Sequence, residues 1–400
     1  MNGIILTEKQ EAGRKAAIQK FLNGEKYCVI SGYAGSGKST LVKHLVQSLP
    51  GIDPERDVVY ACFTGKAAQV LLQKGNHNVS TLHKLLYESK PRPDGTFIRI
   101  KKHTIGYKIV VVDEVSMAPL DMIKLLFSYN VYVICLGDPF QLPPINPQDD
   151  NHLLDHPDVF LDEIMRQALD SDIIKLSMWI REGQPIQKLS QKDALVLSSK
   201  DLNTGMLKWA DQILVGTNAA RVAINDKMRQ LYGRGTKPED GDKVICLRNY
   251  WDYLADNEDP LVNGTIGYIY NTYETNHMIP PFFNMGKVQK INVLNATFIS
   301  DSDADFGALN MDEHEILTGE RFSKDTRLIY RMNSNPRFKH LIPLEFTYGY
   351  AITCHKAQGS QWDKVLVIEE QFPFKKDEHA RWLYTAVTRA INRLVMIRKD

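Results

Sequence analysis

Three groups of residues in this 400-residue chain have the types and spacing to do chemistry together. The first is "GYAGSGKS" at 32–39, which fits the pattern G-x-x-x-x-G-K-[ST]. Its glycines let backbone N–H groups close around phosphate oxygens at a helix N-terminus, where negative charge is already favoured. Gly35, Ser36, Gly37, Lys38, Ser39 and Thr40 would form that cradle, with Lys38 on the terminal phosphates and the Ser39 hydroxyl on Mg²⁺. The second is "IVVVDEVSM" (109–117), where an apolar strand ends in two acids. Asp113 would sit beside Mg²⁺, and Glu114 would take a proton from an attacking water, a group that hydrolysis needs and mere binding does not. Two exposed acids capping a strand is the common alternative for a lone Asp-Glu, but a poor one downstream of a phosphate loop. The third is Gln141 in "CLGDPFQLPP" (135–144), a neutral amide able to hold a water or sense the γ-phosphate. Alone, Gln141 reads as a solvated loop residue.

These residues require a parallel sheet whose strand ends converge. "YCVIS", "DVVYACF", "KIVVVD" and "VYVICLG" are short β-rich runs separated by helix-compatible segments, the alternation of an α/β sheet with helices on its faces. The pattern resumes at "QILVGT", "KVLVIEE" and "RLVMIR", which predict a second α/β domain interrupted in sequence. The interruption, 261–343, contains "NGTIGYIY" and "QKINVLNATFI", a tight-turn pair and alternating strands, and so predicts a small β-rich insertion. A shorter insertion is expected at about 87–106, where "ESKPRPDGTFIRIKKHTIG" offers an Asp-Gly turn within a β-ribbon.

Composition narrows the class. Four hundred residues exceed a single hydrophobic core. Hydrophobic content of 43% and charged content of 24% are those of an ordinary soluble protein. The opening "MNGIILTEKQEAGRK" turns polar too soon for a secretory signal, and no apolar run spans a bilayer, so no membrane partner is expected. Five scattered cysteines without C-x-x-C spacing predict buried, reduced thiols and a cytoplasmic setting, with neither zinc nor disulfides. Net charge is only +1, yet residues 63–108 hold nine basic and two acidic residues, 9 − 2 = +7. That segregation fits a local phosphate track and equally fits a solvated face.

Taken in order, the motifs resemble those of the superfamily 1 helicases, in particular the RecD and phage Dda branch. "LTEKQ" (6–10) is similar to the adenine-reading segment, which implies that role for Gln10. "CFTGKAAQVL" (62–71) and "STLHKLL" (80–86) resemble two strand-contacting motifs. "LDEIMRQ" (161–167) resembles the segment that carries an arginine to the γ-phosphate, here Arg166. "ITCHKAQGSQWDKV" (352–365) and "LYTAVTRA" (383–390) resemble the last two motifs, which implies a nucleotide contact at Gly359 and an arginine finger at Arg389.

The resemblance implies two RecA-like P-loop NTPase domains: residues 1–160, and 161–260 with 344–400. It also implies a hairpin insertion in the first and an SH3-like β-barrel, 261–343, in the second. Lys38, Asp113, Glu114 and Gln141 would face Arg166 and Arg389 across ATP. Single-stranded DNA would be held by Thr64, Lys66, Thr81, His83, Thr353 and His355, through contacts that position without reading sequence. As residue types the two histidines read equally well as core histidines, and Lys66 as a surface lysine. Phe97 would stack on a base, abut the fork or pack the hairpin. The implied activity is ATP-dependent unwinding of forked DNA, 5′ to 3′, by a monomer in a bacterial or phage-infected cytoplasm, with replication or single-strand-binding proteins as partners. The rival readings are a translocase that strips proteins, an enzyme acting on RNA, and a nucleotide-gated clamp.

Overall fold

The structure, a computed structural model, describes residues 6–91, 97–143, 150–186, 189–257, 260–370 and 375–399. The chain divides into two compact units, one of 1–86, 102–217 and 353–400, the other of 87–101 and 218–352.

The first unit contains two sheets. Across one of them the strands run Val79–Thr81, Val58–Cys62, Ile109–Val112, Tyr132–Gly137, Tyr27–Gly32 and Val159–Leu161. Every pairing in it is parallel. The β-branched runs that predicted these strands are buried on both faces, as a parallel sheet covered by helices demands. Leu41, Val42, Leu45 and Val46 of the helix Lys38–Ser48 pack on this sheet with Ile30, Val111 and Ile134 in one continuous core. That packing fixes the helix whose N-terminus the phosphate loop forms. Five of the six strands of the second sheet run, in order, Gln212–Val215, Trp362–Ile368, Ala390–Arg398, Ala194–Ser198 and Leu189–Ser190, parallel except for the last pair, and Ala351–Thr353 is the sixth, at the edge beside Gln212–Val215. Two RecA-like domains are therefore present, as the sequence implied.

Two boundaries differ from expectation. Val159–Leu161 hydrogen-bonds along Tyr27–Gly32, and Asp158 Oδ2 accepts from Val29 N at 2.8 Å, so the first sheet continues beyond residue 160. At the other end, Phe346–Tyr348 and Lys243–Cys246 pair with each other inside the second unit. There they complete a five-stranded sheet, ordered Asp305–Asp312, Gln289–Ser300, Ile266–Ile279, Lys243–Cys246 and Phe346–Tyr348, whose pairings are antiparallel. The β-rich insertion thus takes in strands on both sides of 261–343. The helix Asn218–Leu231 belongs to this unit too. Asn225 Nδ2 donates to the carbonyls of Tyr348 and Ala351, and Arg229 pairs with the fully buried Asp242.

The ribbon expected at 87–106 is formed by Tyr87–Pro91 against Phe97–Lys101, antiparallel, with Tyr87 opposite Lys101. It is inserted in the sequence of the first sheet but belongs to the second unit. The Asp94-Gly95 turn lies outside the described residues. All five cysteines are buried and unbridged. Among the described residues no helix is long and apolar enough to cross a membrane.

Candidate ATP site

The loop between Tyr27–Gly32 and Lys38–Ser48 turns on Gly35 and Gly37, at φ 78° and 80°. Those angles suit glycine and penalise a side chain. A β-carbon on Gly37 would also come 2.3 Å from Gln10 Nε2, so that side chain would have to shift. Gly37 gives the helix no side-chain cap, so its first-turn N–H groups are served by no hydroxyl or carboxylate from that position. Lys38 Nζ lies over the loop, donating to the carbonyls of Gly32 at 2.5 Å and Tyr33 at 3.0 Å. Ser36 Oγ is buried without a partner. A cradle of N–H groups, an ammonium and an orphaned hydroxyl fits a nucleotide's phosphates.

Gln10 lies against this cradle, 1% exposed. Its Nε2 donates to Ser36 O at 3.2 Å, and its Oε1 accepts from Thr7 N at 3.1 Å in a capping box. Both ends of the amide implied to read adenine are thus engaged in tying the helix Glu8–Leu22 to the loop.

Asp113 and Glu114 follow the strand Ile109–Val112, with Asp113 Oδ1 accepting from Glu114 N at 3.0 Å. Burial, reinforced by the neighbouring Glu114 charge, pushes the Asp113 carboxyl above the ordinary carboxylate range, while Lys74 and Lys38 oppose the rise. A carboxylate in that setting is suited to a divalent cation shared with Ser39. Glu114 has φ 50°, ψ 48°, a left-handed conformation that costs a β-substituted residue about 1–3 kcal/mol and persists where the surroundings enforce it.

The two sheets meet at residues 138–142, after the strand Tyr132–Gly137. Gln141, 8% exposed, bridges the charged groups of both sides. With its amide oriented so that both ends find partners, Nε2 donates to Glu114 Oε2 at 3.2 Å and Oε1 accepts from Arg389 Nη2 at 3.3 Å. Arg389, 3% exposed, is held by its own domain through bonds to Thr385 O, Ser360 O and Thr388 Oγ1. An acid, an amide and a guanidinium, one from each of three distant segments, form a line. The amide is neutral, so it joins a base to an arginine without fixing the charge of either.

The remaining expected residues are placed differently. Arg166 opens the short helix Arg166–Leu169, and Met165 N donates to Gly35 O at 3.0 Å. This segment is therefore laid on the phosphate loop by the first sheet, not carried by the second domain; the Arg166 side chain lies outside the described part. A β-carbon on Gly359 would come 3.1 Å from both Thr64 Oγ1 and Ala67 Cβ. Gly359 therefore packs on the start of the helix Gly65–Gln73. Thr64 Oγ1 accepts from Ala67 N and Thr81 Oγ1 from Lys84 N, so both threonines cap helices. Lys66 is buried to 9% exposure, and the His83 ring packs against Phe63 with centroids 5.5 Å apart. Thr353 precedes the short helix Cys354–Ala357 without capping it. Burial lowers the pKa of His355, favouring neutral imidazole. Phe97 starts its strand, with its side chain outside the described part. Thr40 lies in the first turn after the loop, as expected.

Comparison with known proteins bears on both halves of this site. The family model of the AAA domain matches residues 9–197, and that of the UvrD-like helicase C-terminal domain matches 348–397. An ATP-dependent RecD2 DNA helicase of Deinococcus radiodurans is 26% identical over 396 residues, covering 95% of this chain and 48% of that protein. The ATP-dependent DNA helicase dda of Enterobacteria phage T4 is 25% identical over 201 residues, covering 45% of this chain and 43% of that one. A solved structure of Pif1 helicases, concerned with DNA unwinding at forked double-stranded DNA, shares the fold with TM-score 0.55 at 20% identity, covering 99% of this chain and 92% of that chain. The chain is thus similar in sequence to superfamily 1 helicases of the RecD and Dda kind, and it shares its fold with Pif1 helicases. It spans about half the length of the two curated relatives named here.

Further residues that spacing alone did not single out join the two RecA-like domains. Leu142 N donates to Thr385 Oγ1 at 2.9 Å, and Gln358 Nε2 donates to Leu142 O at 2.7 Å. Arg381 Nη1 donates to Pro139 O at 3.0 Å. Tyr384 OH donates to Asp138 Oδ2 at 2.6 Å and accepts from Ala34 N at 2.8 Å. Asp138 was visible in "GDPFQLPP", but its partner lies 246 positions on, beyond any local signal.

Proposed function

We propose that this chain is an ATP-driven motor that moves along single-stranded DNA and unwinds duplex at a fork. The observation that carries this reading is the line Glu114–Gln141–Arg389, because it closes only when the two RecA-like domains face each other. Bound ATP with Mg²⁺ would supply the γ-phosphoryl group for transfer to water. Lys38 and the loop N–H groups would hold the phosphates, Ser39 and Asp113 would hold the cation, and Glu114 would accept the water's proton. Arg389 would face the charge that develops on the γ-phosphate, with Gln141 setting the distance between base and finger. An arginine in that role contributes ~10³-fold or more to rate. Since it comes from the other domain, turnover requires closure, and alternate closing and opening is what a motor needs.

The strand would run over Thr64, Lys66, Thr81, His83, Thr353 and His355, held by its backbone. The likeness to the RecD and Dda branch supports 5′ to 3′ movement, and the ribbon 87–101 serves as the wedge at the fork. The antiparallel sheet of the second unit is read as the SH3-like insertion of that branch. The motor is read as acting as a monomer, and a reducing compartment agrees with five buried thiols. The second reading, a translocase that strips proteins without unwinding, is favoured only if the ribbon does no separating.

The test is ATP-dependent unwinding of forked duplexes carrying either a 5′ or a 3′ single-stranded tail. Strand separation on the 5′-tailed fork, absent in Lys38→Ala, is expected. Movement along single strands without separation of either fork would shift the reading to the translocase, and unwinding from the 3′ tail alone would reverse the polarity.

A further inference from the structure

The segment 138–142 is gripped nearly residue by residue from the second sheet's side, and one grip does more than hold that segment. Tyr384, 1% exposed in the helix Lys376–Val387, spans from Asp138 to the phosphate loop. Its hydroxyl is committed in both directions, donating to Asp138 Oδ2 at 2.6 Å and accepting from Ala34 N at 2.8 Å. The orientation of the O–H is therefore determined. Asp138, 2% exposed, is itself held by Phe140 N on Oδ1 at 3.0 Å. The Tyr384 ring stands edge-on to Phe140 with centroids 5.2 Å apart, so the phenol has little freedom to swing.

Ala34 lies in the loop whose N–H groups form an anion cradle, and one of those donors is given to a side chain of the other domain. Arg389 follows five positions after Tyr384, two residues past the end of the same helix. A shift of that helix moves the finger, and a shift of the loop at Ala34 moves the helix.

We propose that Tyr384 is a positioning residue that couples the phosphate loop to the arginine finger. Its hydroxyl registers Ala34 and Asp138, and thereby sets where Arg389 stands. The proposal rests on the ATPase reading for its kinetic consequence, but not for its structural one. Nucleotide binding reshapes the loop at Ala34, and Tyr384 carries that change to the helix bearing the finger.

The test is Tyr384→Phe, which removes one oxygen and keeps the ring on Phe140. Amide hydrogen exchange of a peptide covering 31–38, measured without nucleotide, should be faster in the variant because Ala34 N–H loses its acceptor. ADP affinity should be unchanged or tighter. DNA-stimulated kcat should fall on the order of 10²-fold with KM no higher, the signature of a misplaced catalytic group. Arg389→Ala added to Tyr384→Phe should cost far less than in the parent. Asp138→Asn, which keeps an acceptor oxygen for the phenol, should fall less, and the double variant should be no worse than Tyr384→Phe. Unchanged exchange at 31–38 overturns the proposal, as does full additivity with Arg389→Ala or a kcat near the parental value. If the parent itself hydrolyses no ATP, the helicase reading fails, and the exchange measurement alone decides the coupling.

Discussion

Replacing Gln141 with Ala removes a side chain that touches both Glu114 and Arg389. Two hydrogen bonds are lost, at 3.2 and 3.3 Å, each to a charged group. Such bonds are worth about 1.5–3 kcal/mol apiece, and a tenfold change in rate corresponds to about 1.4 kcal/mol. The loss would be roughly 10²- to 10⁴-fold if nothing replaced them. Water can enter the space left by the amide, so the lower end, about 10²-fold in kcat, is expected. Neither bond belongs to the phosphate cradle, so KM for ATP and the affinity for ADP should hold within about threefold. Gln141→Glu separates geometry from charge. A carboxylate beside Glu114 disfavours ionisation of both, so the acid limb of the kcat profile should move to higher pH. The assay is steady-state DNA-stimulated ATP hydrolysis across pH, with nucleotide binding measured separately. If Gln141→Ala turns over within about threefold of the parent, or loses KM while keeping kcat, Gln141 does not link base and finger.

Three further outcomes are expected. Shortening residues 90–100 to a tight turn should leave DNA-stimulated ATPase intact and sharply reduce unwinding of forked DNA, since stacking resists separation by ~1.4 kcal/mol per step; unwinding at the parental rate would remove the ribbon from the wedge role. Single-strand affinity should fall steeply with salt and differ little among unrelated sequences, as counterion release from a backbone grip requires; a flat response would exclude the basic stretch 63–108 as a phosphate track. In the second unit, burial first and the nearby Glu345 and Asp312 charges second push Glu315 up to about 8. A folded-state pKa raised above the unfolded one means stability present below about 4.5 and lost as pH rises toward 8. Glu315→Gln should therefore flatten the decline in melting temperature between pH 5 and 8, and an unchanged decline would show that Glu315 is ionised at no cost.

What the sequence revealed followed the range of the forces involved. The phosphate loop was legible because its parts are adjacent: a buried strand, glycines at φ near 80°, and a helix packed by Leu41 and Leu45. Asp113 and Glu114 were legible as the polar end of an apolar strand. The link from Gln141 to Arg389 crosses 248 positions, and only the resemblance of ordered motifs suggested it. Tyr384 had no such signal, because a phenol that bonds a backbone N–H 350 positions away leaves no pattern in either segment. Boundaries at 160 and 344 were missed for a related reason. Val159–Leu161 and Phe346–Tyr348 are three-residue strands, and their apolar composition does not specify which sheet they join. Thr64 and Thr81 illustrate a different limit: the hydroxyls expected to hold a DNA backbone also cap helices, and residue type alone does not separate the two roles.

The central claim is that one ATP site is built from both domains, and Arg389→Ala tests it most directly. Nucleotide affinity and DNA-stimulated turnover should be measured on the same preparation, with Lys38→Ala beside it. The expected result is ADP and ATP affinity within about threefold of the parent and turnover lower by ~10³-fold, while Lys38→Ala loses turnover through the phosphate cradle itself. Normal turnover in Arg389→Ala, or a loss of nucleotide affinity equal to the loss of rate, would contradict a finger supplied from the second domain.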